Sequence, residues 1–311
     1  MHWLHLQIGL REFSDVPVAL GVTAIYLAHI LAFGVLVRRF LAIRVTFWVD
    51  CSIHAAAGYA GFGFYIWLAG ALSLLTPSFF AISAVAAFAL TLALGFRVAH
   101  LQRALHCARQ SAQSQPVLCI AIVLIIALAI ISGLRGGAFD DDYRWQSATY
   151  WATAGRWVKV PFRLANGMAM SEMLHVPAAL FGNLTAAHWA STGLWICAAL
   201  NAVALGETIG LAAPVSWIAI LSISSYTAMA SILNSDVPAL AFALAAIVLL
   251  LCQPSERITL RIATASGLFM AAVLSCKFIV LACLPAGIFI CWSRSAPPVR
   301  RKVINTLYLM A

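Results

Sequence analysis

Acidic side chains are scarce in this chain: ten in 311 residues, against nineteen lysines and arginines. Charge of either sign makes up only 9% of the sequence, where a soluble domain carries roughly 25%. Hydrophobic residues make up 63%, and mean hydropathy is +0.96. These proportions exclude an ordinary water-soluble domain and read as a chain solvated by lipid. The eight cysteines show no CxxC spacing, which argues against a zinc site or a disulfide framework. Lying in or beside apolar runs, they read as small buried hydrophobes. No GxSxG, HExxH or P-loop pattern occurs. The glycines of "GYAGFGF" (58–64) stand inside an apolar run with no strand before them, so close helix packing is the better reading than nucleotide binding. The opening "MHWLHLQIGLREFSD" lacks the basic start and small-residue cleavage site of a secretory signal, so the first apolar segment is expected to stay attached.

What remains is a series of long apolar runs. A spanning helix needs about 20 mostly apolar residues, and runs at 16–37, 53–75, 79–96, 117–134, 186–206, 213–232 and 237–252 meet or approach that length. A last block, 262–292, is interrupted by "SCK" (275–277) and reads as a tight hairpin of short or tilted helices. The expected fold is an all-α polytopic transmembrane bundle of about eight or nine spans, counted as one integral membrane domain over 1–311. Within it, 16–116 holds the first three spans and 117–293 a core with an outer loop at 135–185. Residues 294–311 are a basic segment and the possible start of a further span.

The net charge of +9 does not indicate nucleic acid, because the cations fall in short clusters between apolar runs. Arg38, Arg39 and Arg44 follow the first run, Arg97, Arg103 and Arg109 the third, Arg257 and Arg261 the seventh, and Arg294, Arg300, Arg301 and Lys302 the hairpin. Cytoplasmic placement of all of them is consistent with one alternating topology. That topology puts the segment 135–185, the "NSDVP" turn (234–238) and the hairpin tip on the outer face. The outer loop has cations of its own, Arg135, Arg144, Arg156, Lys159 and Arg163. They are either ordinary loop charges or a landing site for an anionic group such as a lipid phosphate. Between 147 and 184 the segments are too short or too polar to span, and Pro177 breaks the second of them. Trp145, Trp151 and Trp157 recur every six residues and suit the headgroup level, so this stretch reads as two interfacial helices forming a shelf.

Against this background, "FDDDYRW" (139–145) places three of the ten acids directly after an eighteen-residue apolar run. One aspartate suffices to cap a helix beginning near Tyr143, so three ask for a further reason. Asp236 opens an apolar helix on the same expected face and is either a cap or a second acidic site. Lys277 interrupts the last apolar block, where a charge is costly and a functional candidate by default, although snorkelling at a hairpin tip lowers the cost. Glu172 on the shelf could meet an acceptor or a metal, or be solvated. His175 and His188 read as interfacial packing residues.

Three ordered stretches resemble the integral-membrane glycosyltransferases of the C-type (GT-C) fold, a superfamily that includes protein O-mannosyltransferases and the lipid A aminoarabinose transferase. "AFDDDYRWQSATYWATAGRW" (138–157), continuing through "GMAMSEMLHVPAALFGNLTAAHWASTGLW" (167–195), is similar to the family's first outer loop, surface helix and next span. "NSDVPALAFALAAIVLLL" (234–251) resembles the family's aspartate at the outer start of a later helix, and "GLFMAAVLSCKFIVLACLP" (267–285) its small-residue helix ending in Lys. The chain departs from the pattern in placing three extra spans before the acidic loop and in having Arg144 and Trp145 where many relatives have His after the Tyr.

The resemblance implies transfer of a sugar from a polyprenyl-phosphate donor to an acceptor on the extracytoplasmic face, in a membrane such as the bacterial plasma membrane. Asp141 or Asp142 is then the expected base, and Lys277, Arg144 and Arg163 would meet the donor phosphate. Asp236 with Asp140 would form a second acidic site able to hold a divalent cation such as Mg or Mn, with Glu172 on the acceptor side. The sugar, lipid carrier and acceptor are not specified by the residues. The rival readings are a transporter or flippase for a lipid-linked precursor and a catalytically silent membrane scaffold.

Overall fold

The computed structural model describes residues 15–94, 116–132, 141–160, 170–212, 215–217, 233, 235–252, 258–276, 283–295 and 299–310, with isolated positions at 102, 106, 109 and 113. Leu118, Ala121, Ser132, Asp141, Asp142, Tyr143, Cys283, Arg300 and Arg301 are described by backbone alone. Among the described residues every regular element is a helix and none is a strand. The long helices are α1 (Val16–Leu41), α2 (Phe47–Ala71), α3 (Pro77–Ala93), α4 (Pro116–Ser132) and the outer-loop helix α5 (Asp141–Ala154). Two short helices, α6 (Met170–Met173) and α7 (Val176–Leu180), lead into α8 (Leu184–Thr208), α9 (Asp236–Leu251), α10 (Leu260–Cys276), α11 (Cys283–Arg294) and α12 (Val299–Met310). The expected span at 213–232 lies largely outside the described residues, and at the expected hairpin break, 275–277, Ser275 and Cys276 end α10 while Lys277 lies outside them.

Helices form where the apolar runs stand, and local signals set several of their ends. Thr76 accepts a hydrogen bond from the Phe79 N–H at 3.2 Å, and Pro77 begins α3 where its missing N–H costs nothing. Asn183 caps α8 by accepting from the Ala186 N–H at 2.8 Å, while its amide donates to the Asp15 carbonyl at 3.0 Å. The formal glycosylation sequon "NLT" is therefore spent on structure: Asn183 is buried and its side chain is engaged at both ends. Gly182, at φ +63°, takes the left-handed turn between α7 and α8, a conformation that glycine adopts without strain.

Two helices, α1 with 26 residues and α8 with 25, are long and apolar enough to cross a membrane; α3, α9, α10 and part of α4 are apolar but shorter. The centre of the bundle is α8 and α9, flanked by α2 and α10, with Trp195, Phe242 and Leu249 fully buried. Small residues line these contacts and let backbones approach closely. At Gly58 an added Cβ would lie 2.4 Å from the Ile30 carbonyl oxygen of α1, so the glycine run of α2 does serve helix packing. The outward faces of α3 and α4 are apolar, with Ile82 and Val85 each 71% exposed and Val117 80% exposed. A water-soluble monomer rarely shows a continuous surface of this kind.

Hydrogen bonds across the connections sort the helix ends into two groups. At one end Arg38 pairs with Asp50, Arg39 donates to the Leu94 carbonyl, and Thr46 donates to Glu207 at 2.5 Å. Arg261 donates to the Phe40 carbonyl at 3.3 Å and Arg294 to the Leu251 carbonyl at 3.0 Å. At the opposite end the Leu75 N–H donates to the Gly155 carbonyl at 3.1 Å, and Trp157 Nε1 donates to the Trp67 carbonyl at 2.6 Å. Arg38, Arg39, Arg261 and Arg294 thus fall at one end, and Gly155 and Trp157 of the outer loop at the other.

The C-terminal segment, expected to be basic and to start a further span, forms a helix from its basic end onward. Helix α12 lies on α10, where a Cβ at Gly267 would meet the Leu309 carbonyl oxygen at 2.6 Å. Asn305 ties α12 to the Ile258 carbonyl at 3.0 Å and to Ser295 Oγ at 3.1 Å.

The glycine geometry gives a paired prediction. Gly58→Ala forces α1 and α2 apart and is expected to lower stability by about 1–3 kcal/mol. Gly21→Ala, where an added Cβ meets nothing within 4 Å, is expected to gain up to about 1 kcal/mol from helix propensity. Thermal unfolding in detergent reads both changes.

Candidate functional site

The sequence marks the start of α5 as the place where acids gather, and α5 is held in place through Arg144. This residue lies one turn inside the helix and is 7% exposed. Its guanidinium donates to the Leu233 carbonyl and to Ser235 Oγ, the latter at 3.2 Å. The Nε edge lies 3.5 Å from Glu172 Oε1. A planar fork of five donors suits such a three-way junction, where a lysine would offer only a point charge. Arg144, expected to meet a donor phosphate, is thus engaged by protein acceptors from the turn before α9 and from the shelf.

Glu172 is buried as well, with its other oxygen accepting from Ser171 Oγ at 2.6 Å. The solvated alternative for this residue does not hold. Around the pair the shelf is pinned from below by Tyr26 of α1, whose hydroxyl donates to the Leu174 carbonyl at 2.5 Å. Cys276, the last residue of α10, lies within electrostatic reach of both Glu172 and Arg144. Its chain neighbour Lys277 lies outside the described residues, as do Asp140 and Arg163. The junction therefore gathers α5, the shelf, the start of α9 and the end of α10.

His175 completes the cluster. It is 1% exposed, and its Nδ1 has no hydrogen-bond partner. Burial, followed by the nearby Arg144 and His188 charges, pushes its pKa down to about 3. The ring is therefore neutral at physiological pH. Its burial agrees with the expected packing role, while no local motif signals the unpartnered imidazole nitrogen.

Asp236 is the first residue of α9 and faces solvent. The cap position belongs to Ser235, and Asp236 sits in the first turn, where a carboxylate favours the positive end of the helix. Arg144 contacts the two residues 233 and 235 just before it, so the start of α5 and Asp236 share one end of the bundle. Among the described residues, no three His, Cys, Asp or Glu side chains gather as a metal site. Asp236 is solvent-facing, whereas Glu172 is already neutralised by Arg144. Asp140, the expected partner of Asp236 in holding a divalent cation, lies outside the described residues.

The tryptophans divide. Trp151 is buried and donates to the Val158 carbonyl at 2.9 Å, and it packs edge-on against Trp157 with ring centroids 4.9 Å apart. Both rings therefore brace the outer loop against α2 and its own return. Trp145 instead lines an open groove along α5 with Gln146, Thr149, Tyr150, Thr153, Ala154 and Val158.

Comparison with protein-family models, with curated proteins and with solved structures gave no match for this chain.

Two measurements check the cluster. Arg144→Met leaves Glu172 buried without its partner and is expected to cost about 3–5 kcal/mol, most of which the double change Arg144→Met with Glu172→Met restores. For His175 the folded pKa lies below the ordinary value of 6.5, so the unfolded chain takes up the proton first. Its contribution is intact above pH 6.5 and is lost as pH falls from about 6.5 toward 3. Denaturation midpoints across that window should slope less steeply in His175→Gln, by at most about 1.4 kcal/mol per pH unit.

Proposed function

We propose that the chain is an integral-membrane glycosyltransferase similar to the GT-C superfamily. In this reading it crosses a membrane such as the bacterial plasma membrane about eight or nine times, with its reaction centre on the extracytoplasmic face. The observation that carries the reading is the Arg144 junction. It ties the helix that begins in the aspartate run to the turn before Asp236 and to the shelf, at the end opposite the basic loops. The apolar outer faces of α3 and α4 support the bilayer half of the proposal.

In the proposed reaction an acceptor hydroxyl oxygen bonds to the anomeric carbon of the donor sugar. The bond from that carbon to the phosphate oxygen breaks, and the electron pair leaves with the polyprenyl phosphate. Asp141 or Asp142 takes the acceptor proton, a contribution of roughly 10²–10⁴ in rate. Lys277 and Arg163 are the cations assigned to the leaving phosphate, whose developing charge needs stabilisation. Arg144 is assigned a positioning role instead, because it already donates to Leu233 and Ser235 and is ion-paired with Glu172.

The test incubates the purified protein with a panel of polyprenyl-phosphate sugars and membrane extract. Transfer is expected, and it should fall by about 10²–10⁴ in Asp141→Asn or Asp142→Asn with expression retained. Unchanged transfer in both variants places the base elsewhere. Movement of the donor lipid across the bilayer with no new glycosidic bond identifies a transporter and overturns the proposal.

A further inference from the structure

The groove along α5 presents polar side chains beside aromatic ones. Gln146, Thr149, Tyr150 and Thr153 are all exposed and recur at the spacing of one helix face. Trp145, Ala154 and Val158 line it with them, and the open groove offers about 630 Å³. That volume falls within the roughly 300–1,000 Å³ usual for small-ligand sites. A face turned to lipid, such as that of α3 with Ile82 and Val85, carries no comparable row of hydroxyls and amides. With Trp151 and Trp157 committed to internal packing, Trp145 and Tyr150 are, among the described side chains of α5, the aromatic rings that line the groove.

Aromatic rings beside amide and hydroxyl groups match a sugar's two-sided character. A pyranose has a face of C–H bonds, weakly positive, which packs on the negative face of an aromatic ring. Its hydroxyl rim requires groups that both donate and accept, as Gln, Thr and Tyr do. The groove also has a direction. Asp142 precedes Gln146 by four residues, one helical turn, so the face that carries Gln146, Thr149 and Thr153 leads back to the acidic start of α5. At the other end Arg156 and Lys159, both exposed, flank Val158 in the chain. Positive charge there complements a saccharide bearing carboxylate or phosphate groups.

We infer that this groove binds a saccharide chain, with Trp145 and Tyr150 as stacking platforms, Gln146 and Thr149 as hydroxyl partners, and Arg156 and Lys159 selecting acidic sugars. The inference rests on the glycosyltransferase reading for its purpose, since it names the acceptor class as a glycan whose end approaches the aspartates.

Binding is measured without any donor, so the two ideas are separable. The full-length protein in lipid nanodiscs is titrated with a neutral glucose trisaccharide and a uronic-acid trisaccharide, read by saturation-transfer NMR. Ring protons of the uronic-acid probe should receive magnetisation, with at least ten-fold weaker binding in Tyr150→Ala and in Trp145→Ala. Trp145→Phe should keep most of the affinity, which separates a stacking role from a folding defect. In Arg156→Gln with Lys159→Gln, the preference for the acidic probe over the neutral one should vanish. The inference is overturned if neither saccharide binds, or if binding ignores the Tyr150 change. It is also overturned if nanodiscs with brominated acyl chains quench Trp fluorescence in a component that Trp145→Phe removes, because the groove would then be filled by lipid. Saccharide binding with no sugar transfer would retain this inference and sink the enzyme, whereas transfer insensitive to every groove change would do the reverse.

Discussion

A guanidinium buried in an apolar bundle has to be matched, donor by donor, or the fold around it fails. Arg144 bonds a carbonyl and a hydroxyl from the turn before α9 and forms an ion pair with a carboxylate of the shelf. Removing one member of such a set is far more damaging than never having had it. The pair therefore does more to specify an arrangement than to stabilise one. It fixes which segments meet, and so keeps the start of α5 beside the start of α9. Glu172, Ser171 and the open imidazole of His175 extend the polar patch into the shelf.

Below the shelf, polar side chains inside the apolar bundle do related work. Asn201 of α8 donates to the Ala241 carbonyl of α9 at 2.8 Å and accepts from Ser52 of α2, joining three helices at one point. His29 of α1 stacks on Phe62 of α2 with centroids 4.6 Å apart and bonds Ser83 Oγ of α3 at 3.0 Å. Between helices packed through glycine and alanine, such ties set register where apolar contacts alone would allow sliding. Tyr26 carries the same logic upward, linking α1 to the shelf that bears Glu172. The floor of the site is thus cross-linked by polar contacts, whereas the groove along α5 stays open.

The helices were legible because hydrophobic run length needs no tertiary information: the run read at 237–252 is α9 at 236–251. Helix packing at the glycines was legible too, since no other use of "GYAGFGF" fitted its apolar surroundings. Burial of charge was not. Arg144 and Glu172 lie 28 residues apart in the chain, and nothing local distinguishes a paired guanidinium from one waiting for a phosphate. The six-residue recurrence of tryptophan suggested a common role, but the turn at Gly155, with φ +66°, folds Trp157 back onto Trp151 and separates both from Trp145. The docking of helix α12 was hidden for a different reason. The helix's basic start looked like a terminal cytoplasmic segment, while Asn305 and Gly267, which dock it, are informative only once α10 is in place.

The central claim is that the acidic start of α5 and Asp236 share one aqueous side, opposite the basic loops. Single cysteines placed in a cysteine-free protein at Asp142, Asp236, Arg39 and Lys302, then treated with a membrane-impermeant thiol reagent in sealed vesicles of known orientation, test it directly. The account predicts that the first two positions label from one side and the last two from the other. Labelling of positions 142 and 236 from opposite sides would contradict it.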